Sequence, residues 1–496
     1  MVVTRIAPSP TGDPHVGTAY MSLFDYVYAK KHGGKFILRV EDTDRKRYSP
    51  DAEKRVLEAL HWLGLVPDES PEVGGPNAPY RQTERLDLYR RYAHRLVEEG
   101  KAYRAFETPE ELEVIRNELK RRGAGHGYDG RGRRLPSEVA ARRAAAGEPY
   151  VIRLITPDDG DTIVDDLLRG AVSIPTREVP DAILLKSDGM PTYHLAVVVD
   201  DHLMGVSHVV RGEEWIPTAP IHVLRYRAFD WREPVWIHMP LLKNAEGKKL
   251  SKRKDDTNLD SYRQQGIVPE ALLNYLATMG WSMPDGREFF GLEEMMRHFE
   301  FERVSLGGSI FDMRRLRHYN AKYLRDLFSL EEVARRAGPF LREKGFAWDD
   351  DDYLLDVIDV LRPRAETLRD FTQHGYFFDE GYGFSEEARR RVAGGQKYLE
   401  DLERELSMLE FYDYDSVDDS IRDYVKSQAV KMGEVMMPLR AALTGTMNAP
   451  SVTDLCVILG KRRVLNRIGR ALTLLQGGLP DDKPQKPEAA KAGAAD

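Results

Sequence analysis

The stretch that most limits how this chain can fold is Arg5-Ile6-Ala7-Pro8-Ser9-Pro10-Thr11-Gly12-Asp13-Pro14-His15-Val16-Gly17-Thr18. Before it, Val2 to Ala7 reads as a buried strand; after it, Thr18 to His32 reads as a helix that stops at Gly33-Gly34. Pro8, Pro10 and Pro14 each fix their own φ and stiffen the loop between. A strand that hands a rigid loop to a helix start predicts α/β architecture, with the backbone N–H groups and dipole of that helix end favouring an anion. His15 adds an imidazole donor, and Gly17 removes a side chain where a flat or charged ligand would approach. Alone, such a loop also fits an ordinary surface turn. A second stretch, Lys248-Lys249-Leu250-Ser251-Lys252-Arg253, makes the pair informative.

At 496 residues the chain is too long for one core, so three or more domains are expected. Its 42% hydrophobic and 31% charged residues fit a soluble, well-solvated protein. A net charge of −8 argues against blanket nucleic-acid binding and leaves room for a local basic face. The single cysteine, Cys456, excludes a disulfide framework and a cysteine-based zinc site. It sits in the apolar run Asp454 to Leu459, where a buried inert thiol is expected. The start of the chain lacks the pattern of a signal peptide, and no window approaches ~18 uninterrupted apolar residues. A cytoplasmic protein with no membrane contact is the expectation.

Lys35 to Val40 reads as a second strand, with Glu41-Asp42-Thr43-Asp44-Arg45 at its carboxyl end, where open α/β sheets place ligands. Ser49 as N-cap, Pro50 in the first turn, the apolar face Val56, Leu57, Leu60 and Leu63, and the stop at Gly64 define a helix. Tyr80 to Arg85 leads into an amphipathic helix ending near Glu99. An insertion begins at Tyr103-Arg104-Ala105-Phe106, with Val151 to Leu154, Ile163 to Asp166 and Ile183 to Lys186 as its strands. Its Arg-, Lys- and Gly-rich part, Arg116 to Arg134, fits an RNA contact or a solvated loop equally well. Pro191 to Val199 reads as a strand running into Asp200-Asp201-His202. The next strand begins at Val209-Val210-Arg211 and ends at Gly212-Glu213-Glu214-Trp215, and Trp236 to Leu242 leads into the lysine-rich loop. Beyond Asp260 the pattern is helical, including the basic run Arg314, Arg315, Arg317, Lys322 and Arg325 and nearly every segment from Ser329 to Gln476. Asp481 to Asp496 is expected to be a disordered tail.

His15-Val16-Gly17-Thr18 resembles the HIGH element of class I aminoacyl-tRNA synthetases, and Lys249-Leu250-Ser251-Lys252-Arg253 resembles their KMSKS element. Arg5 to Gly12, Glu41-Asp42-Thr43-Asp44, Tyr193-His194-Leu195-Ala196, Val199-Asp200-Asp201-His202 and the helical C-terminal third look like bacterial glutamyl-tRNA synthetases, over about residues 1 to 475. The resemblance implies an α/β + α fold. A Rossmann-like class I synthetase catalytic domain would lie in two halves, 1–80 and 191–245, around an α+β acceptor-binding insertion, 81–190. A stem-contact domain with the KMSKS-like loop (246–328), all-helical anticodon-binding domains (329–480) and the tail (481–496) would follow. It also implies a two-step reaction. The α-carboxylate of L-glutamate attacks the α-phosphate of ATP, which arrives with Mg2+, and the terminal ribose hydroxyl of tRNA(Glu) then takes the glutamyl group. The family expectation is a monomer that needs tRNA present before it activates glutamate. Some relatives hold a cysteine-rich zinc site in the insertion; with no cysteine there, no zinc and no other metal site is expected.

The residues make chemical sense in these roles. A carboxylate is already a nucleophile, so activation needs positioning and cations rather than a general base. His15 can donate to phosphate oxygens, and Lys249 and Lys252 can neutralise charge on the departing pyrophosphate. Gly17 lets the adenine ring pack close, and by resemblance Thr18, Glu214, Leu242, Leu250, Ser251 and Arg253 complete the nucleotide site. An anionic substrate side chain is suited by guanidinium, for which Arg5 and Arg211 are the candidates; Arg5 lies in an apolar strand, where an unpaired arginine is costly. Ala7, Ser9 and Tyr193 join the amino-acid pocket, and Glu41 suits the substrate's ammonium group. Val197 stands where the family pattern has an asparagine, so that contact is missing. Arg364, in Leu361-Arg362-Pro363-Arg364, matches an arginine that helps read the last anticodon base and implies rejection of tRNA(Gln). The alternatives are a non-discriminating enzyme, a glutaminyl-type sibling, which would usually end in β-barrels, and a non-catalytic RNA-binding paralogue, which would be expected to lose His15, Lys252 or Arg5.

Overall fold

The computed structural model describes residues 1–44, 47–123, 128–250 and 257–476. They fall into two compact units, Met1–Asn320 and a second that begins at Ala321.

The first unit opens with β1 (Val3–Ile6), α1 (Val16–Lys31) and β2 (Lys35–Leu38), the two strands parallel with Val3 opposite Lys35 and Ile6 opposite Leu38. Then come α2 (Pro50–Trp62), capped by the Ser49 side chain on the Ala52 N–H, and α3 (Leu86–Glu98). The following elements are β3 (Ala102–Ala105), α4 (Pro109–Arg121), α5 (Ser137–Ala145), β4 (Val151–Leu154), β5 (Asp161–Asp166), β6 (Gly170–Pro175) and β7 (Ile183–Leu185). After them come α6 (Tyr193–Leu203), β8 (His208–Gly212), α7 (Ala219–Ala228) and β9 (Val235–Met239). One sheet has the order β3-β4-β7 and a second the order β6-β5-β9-β8. β8 and β9 are parallel and set Arg211 opposite His238. β1 lies beside β8, where the Ser207 N–H donates to the Val3 carbonyl at 3.0 Å. The chain after β9 is helical, with Pro269–Gly280 and Met313–Lys322 among its helices.

Two sequence readings change. Pro191 to Val199 is not a strand: Tyr193–Leu203 is α6. Its Leu195, Ala196 and Val199 pack with Tyr89, Ile152 and Leu184, while Val197 and Val198 pack with Val3, Val209 and Trp236. A helix buried against two cores is apolar all round, and its sequence then looks like a buried strand. Ile163 to Asp166 is a strand, yet it does not join the insertion's sheet. It lies in β5, which pairs with β6 and meets β9 at Asp166 opposite Trp236. Asp166 ties the strand there, its side chain accepting from the backbone N–H of His238 at 3.0 Å.

The second unit is helical throughout its longer elements, from Leu330–Glu343 and Asp351–Leu361 to Val452–Gln476, which is interrupted at Gly460 by a φ of +74°. Cys456 is fully buried there, and burial pushes its thiol up to about 12, which keeps it protonated and unreactive. Residues 481–496, expected as a tail, lie outside the described residues. Among the described residues no helix is long and apolar enough to cross a membrane.

Candidate active site

β1, β2, β8 and β9 end around one cavity of about 760 Å³. Arg5 reaches it from β1; Ala7, Ser9, His15, Gly17 and Thr18 come from the loop and helix start that follow. Glu41 comes from beyond β2, Tyr193 from the start of α6, and Arg211 and Glu214 from the end of β8. Leu242, Lys249 and Leu250 close the set. The amino-acid and nucleotide residues singled out in the sequence thus meet in one place wherever the structure describes them. Ser251, Lys252 and Arg253 lie outside the described residues, and Arg364 belongs to the second unit. Trp215, Arg47 and Met21 also line the cavity and were not singled out.

α1 begins two residues earlier than expected, and His15 is its N-cap. The His15 Nδ1 accepts from the Gly17 N–H at 2.8 Å, so the ring proton sits on Nε2, the nitrogen able to donate. A Cβ at Gly17 would lie 3.0 Å from that Nδ1, so any larger residue would press on the capping imidazole. One expectation is corrected. The first backbone N–H groups of α1 do not wait for an anion: Val16 donates to the Thr257 carbonyl at 2.8 Å, Gly17 to His15, and Thr18 to the His15 carbonyl at 2.7 Å. The chain uses these donors itself, leaving the helix dipole and the imidazole as the attraction for phosphate.

Ahead of residues 251–256 the chain forms a short hairpin in which Lys243 bridges Lys249 and the Leu250 N–H donates to the Leu242 carbonyl at 3.1 Å. Beyond residues 251–256 the chain returns at Thr257 and Asn258, with Asn258 bridged to His15. Both ends of the loop are therefore anchored beside the same cavity. Nothing in the composition of Thr257-Asn258 announces this. Lys249 Nζ stands 2.7 Å from Glu214 Oε1.

The amino-acid end contains a buried charge network that the sequence did not reveal. Arg5 places Nε 3.1 Å and Nη2 3.3 Å from the two oxygens of Asp201 on α6. Arg39, fully buried, sets Nη1 2.7 Å from Asp201 Oδ1 and Nη2 3.2 Å from Glu41 Oε1. Neighbouring Asp200 accepts from Gln82, Arg85 and Tyr89. Burial would raise the Asp201 carboxyl, but Arg5 and Arg39 outweigh it and hold the group below the usual range. Glu41, buried and facing Arg39, goes the other way: burial pushes it up to about 7. Arg211 is surrounded differently, by His238, His222 and the Trp236 ring 5.2 Å away. Its Nη2 is buried with no hydrogen-bond partner among the described residues. Such a pocket suits a small zwitterion with a second carboxylate, set beside a place for phosphates. Among the described residues no group of three or more His, Cys, Asp or Glu could hold a metal ion.

Residues 1–318 match the catalytic domain of class I tRNA synthetases for glutamate and glutamine, and residues 332–472 match an anticodon-binding domain. The glutamate–tRNA ligase of Thermus thermophilus is 55% identical over 473 residues, 95% of this chain and 100% of that protein. The one from Deinococcus radiodurans is 50% identical over 475 residues, 95% of this chain and 98% of its own length. The crystal structure of a glutamate tRNA ligase from Elizabethkingia meningosepticum in complex with its amino acid superposes with a TM-score of 0.87 at 38% identity, over 96% of this chain and 99% of that one. The fold is that of a class I synthetase catalytic domain followed by a helical anticodon-binding domain. The chain belongs to the glutamate–tRNA ligase family.

Proposed function

We propose that this chain activates L-glutamate with MgATP, forming glutamyl-adenylate and pyrophosphate, and transfers the glutamyl group to the 3′ end of tRNA(Glu) while rejecting tRNA(Gln). The observation that carries this reading is the meeting of the carboxylate-binding and phosphate-binding candidates in one cavity at the strand ends. Glutamate lies toward Arg211, Arg5, Tyr193 and Glu41, with Ala7 and Ser9 beside it. ATP lies toward His15, Gly17, Thr18, Glu214 and Leu242, with the lysine loop over its phosphates. His15 Nε2 donates to a phosphate oxygen, and Lys249 with Lys252 takes up charge on the departing pyrophosphate. Residues 81–190 serve the acceptor end, 246–328 the stem, and 329–480 the anticodon.

Arg364 is exposed, and its Nη1 donates to the Ala449 carbonyl at 2.6 Å, which holds the guanidinium in one orientation. Arg440 adds positive charge nearby. The test is aminoacylation with labelled glutamate and each purified tRNA. The unmutated enzyme is expected to charge tRNA(Glu) alone, and Arg364→Gln to charge both. Equal charging of both tRNAs by the unmutated enzyme refutes the discriminating part, and charging of neither refutes the whole.

Glu41 gives a pH signature. Binding an ammonium group needs its carboxylate, which dominates only above about 7. The KM for glutamate is expected to fall as pH rises through about 7, and to be high and flat in Glu41→Gln. The sign for stability is opposite. The folded chain keeps a proton that the unfolded chain has already lost, so this group's contribution declines between its ordinary value and about 7. A pH-independent KM in the unmutated enzyme removes Glu41 from the ammonium site.

A further inference from the structure

We propose that His222 and His238 are positioning residues that hold Arg211 as a cation with no carboxylate against it, and that this, rather than the mere presence of two arginines, makes Arg211 the reader of the substrate's side-chain charge. The inference rests on the cavity being the glutamate site.

The two arginines differ in their partners. Arg5 spends Nε and Nη2 on both oxygens of Asp201, and its Nη1 is 3.5 Å from the Val210 carbonyl. Its charge is met inside the protein. Arg211 donates from Nε to His238 Nε2 at 3.0 Å and from Nη1 to His222 Nδ1 at 2.9 Å. Arginine can only donate, so both imidazole nitrogens must be acceptors, and each ring must carry its proton on the other nitrogen. The second contacts fit. His238 Nδ1 faces Asp166 Oδ2 at 2.6 Å, and His222 Nε2 faces His194 Nδ1 at 2.8 Å. A chain runs Asp166, His238, Arg211, His222, His194, in which each link has one donor hydrogen and one acceptor. Burial, with Arg211 next, keeps His222 well below its ordinary value, so the ring stays neutral.

This arrangement fixes the plane of the guanidinium without cancelling its charge. Asp166 is one imidazole ring away, and the Asp201 carboxylate, which Arg5 and Arg39 hold, acts on Arg211 only through space. The other terminal nitrogen, Nη2, is buried with no hydrogen-bond partner among the described residues, on a residue only 7% exposed that lines the cavity. A carboxylate satisfies both the hydrogen and the charge. A carboxamide can accept the hydrogen and leaves the charge buried and unmatched, which penalises glutamine. The sequence singles out neither histidine as a site residue: His222 is on α7 and His238 in β9.

The test compares His222→Asn with His222→Asp in the full-length enzyme, measuring KM for glutamate and ATP, kcat, and the use of glutamine as substrate. Asparagine keeps an acceptor for Nη1; aspartate adds a carboxylate. His222→Asp is expected to raise the glutamate KM roughly tenfold or more over His222→Asn, with ATP KM little changed and preference for glutamate over glutamine reduced. Equal glutamate KM in the two variants overturns the proposal, as does a loss confined to kcat in both. Should either variant fail to fold, His238→Gln and His238→Glu make the same comparison on the other side of Arg211. An unmutated enzyme that does not use glutamate refutes the function itself; one that does, with indistinguishable variants, refutes this inference alone.

Discussion

Asp201→Asn is expected to destabilise the protein by about 3–5 kcal/mol. Asp201 is 3% exposed and is shared by two buried guanidinium groups, Arg5 through two nitrogens and Arg39 through one. The substitution keeps the shape and removes the charge, so Arg5 and Arg39 remain buried beside each other without the anion that separates them. Arg39 keeps Glu41 at 3.2 Å and Asp200 at 3.6 Å, while among the described residues Arg5 has its ion pair with Asp201 and otherwise only the Val210 carbonyl at 3.5 Å. Arg5 is therefore the group expected to shift, and glutamate activation should fall with stability. Urea unfolding of the full chain measures the first effect. A loss below about 1 kcal/mol, the worth of an exposed ion pair, would falsify the idea that this network organises the pocket.

His15→Ala is expected to slow adenylate formation by about 10²–10³, the usual effect of removing one donor to developing charge. It should also cost about 1 kcal/mol of stability, because the same ring caps α1 through its Nδ1. The two roles use opposite nitrogens and can be separated. Asparagine is a good N-cap whose side-chain oxygen can take the Gly17 N–H, but it cannot reach where Nε2 reaches. His15→Asn should regain the stability and not the rate. The readout is pyrophosphate exchange with tRNA(Glu) present, beside thermal unfolding. A rate for His15→Asn within tenfold of the unmutated enzyme would show that the ring acts only as a cap.

Much of the site was legible in the linear order. Arg5 to Thr18 announced strand, rigid loop and helix, and β1 and α1 follow it closely. Residues as far apart as Glu41, Tyr193, Arg211 and Lys249 could be grouped through resemblance, and one cavity brings them together. Three matters were not legible. α6 was mistaken for a strand because burial on both sides removes the polar face that marks a helix. The donors at the start of α1 were expected to serve an anion, but Thr257, far along the chain, takes one of them. Arg39, His222 and His238 went unnoticed because single polar residues in apolar elements carry no period or spacing.

The sequence by itself determined the opening order of strand, loop and helix, the capping of α2, the helical second unit, the inert cysteine and the family. These follow from local preferences and from short motifs, where cause and effect lie within a few residues. Only the tertiary structure decided which charges cancel. Arg5 and Arg211 look alike in the chain, each in a β-strand among apolar neighbours, yet one faces Asp201 and the other faces two imidazoles. Electrostatic energy depends on separation in space and on burial, and neither is a function of position along the chain.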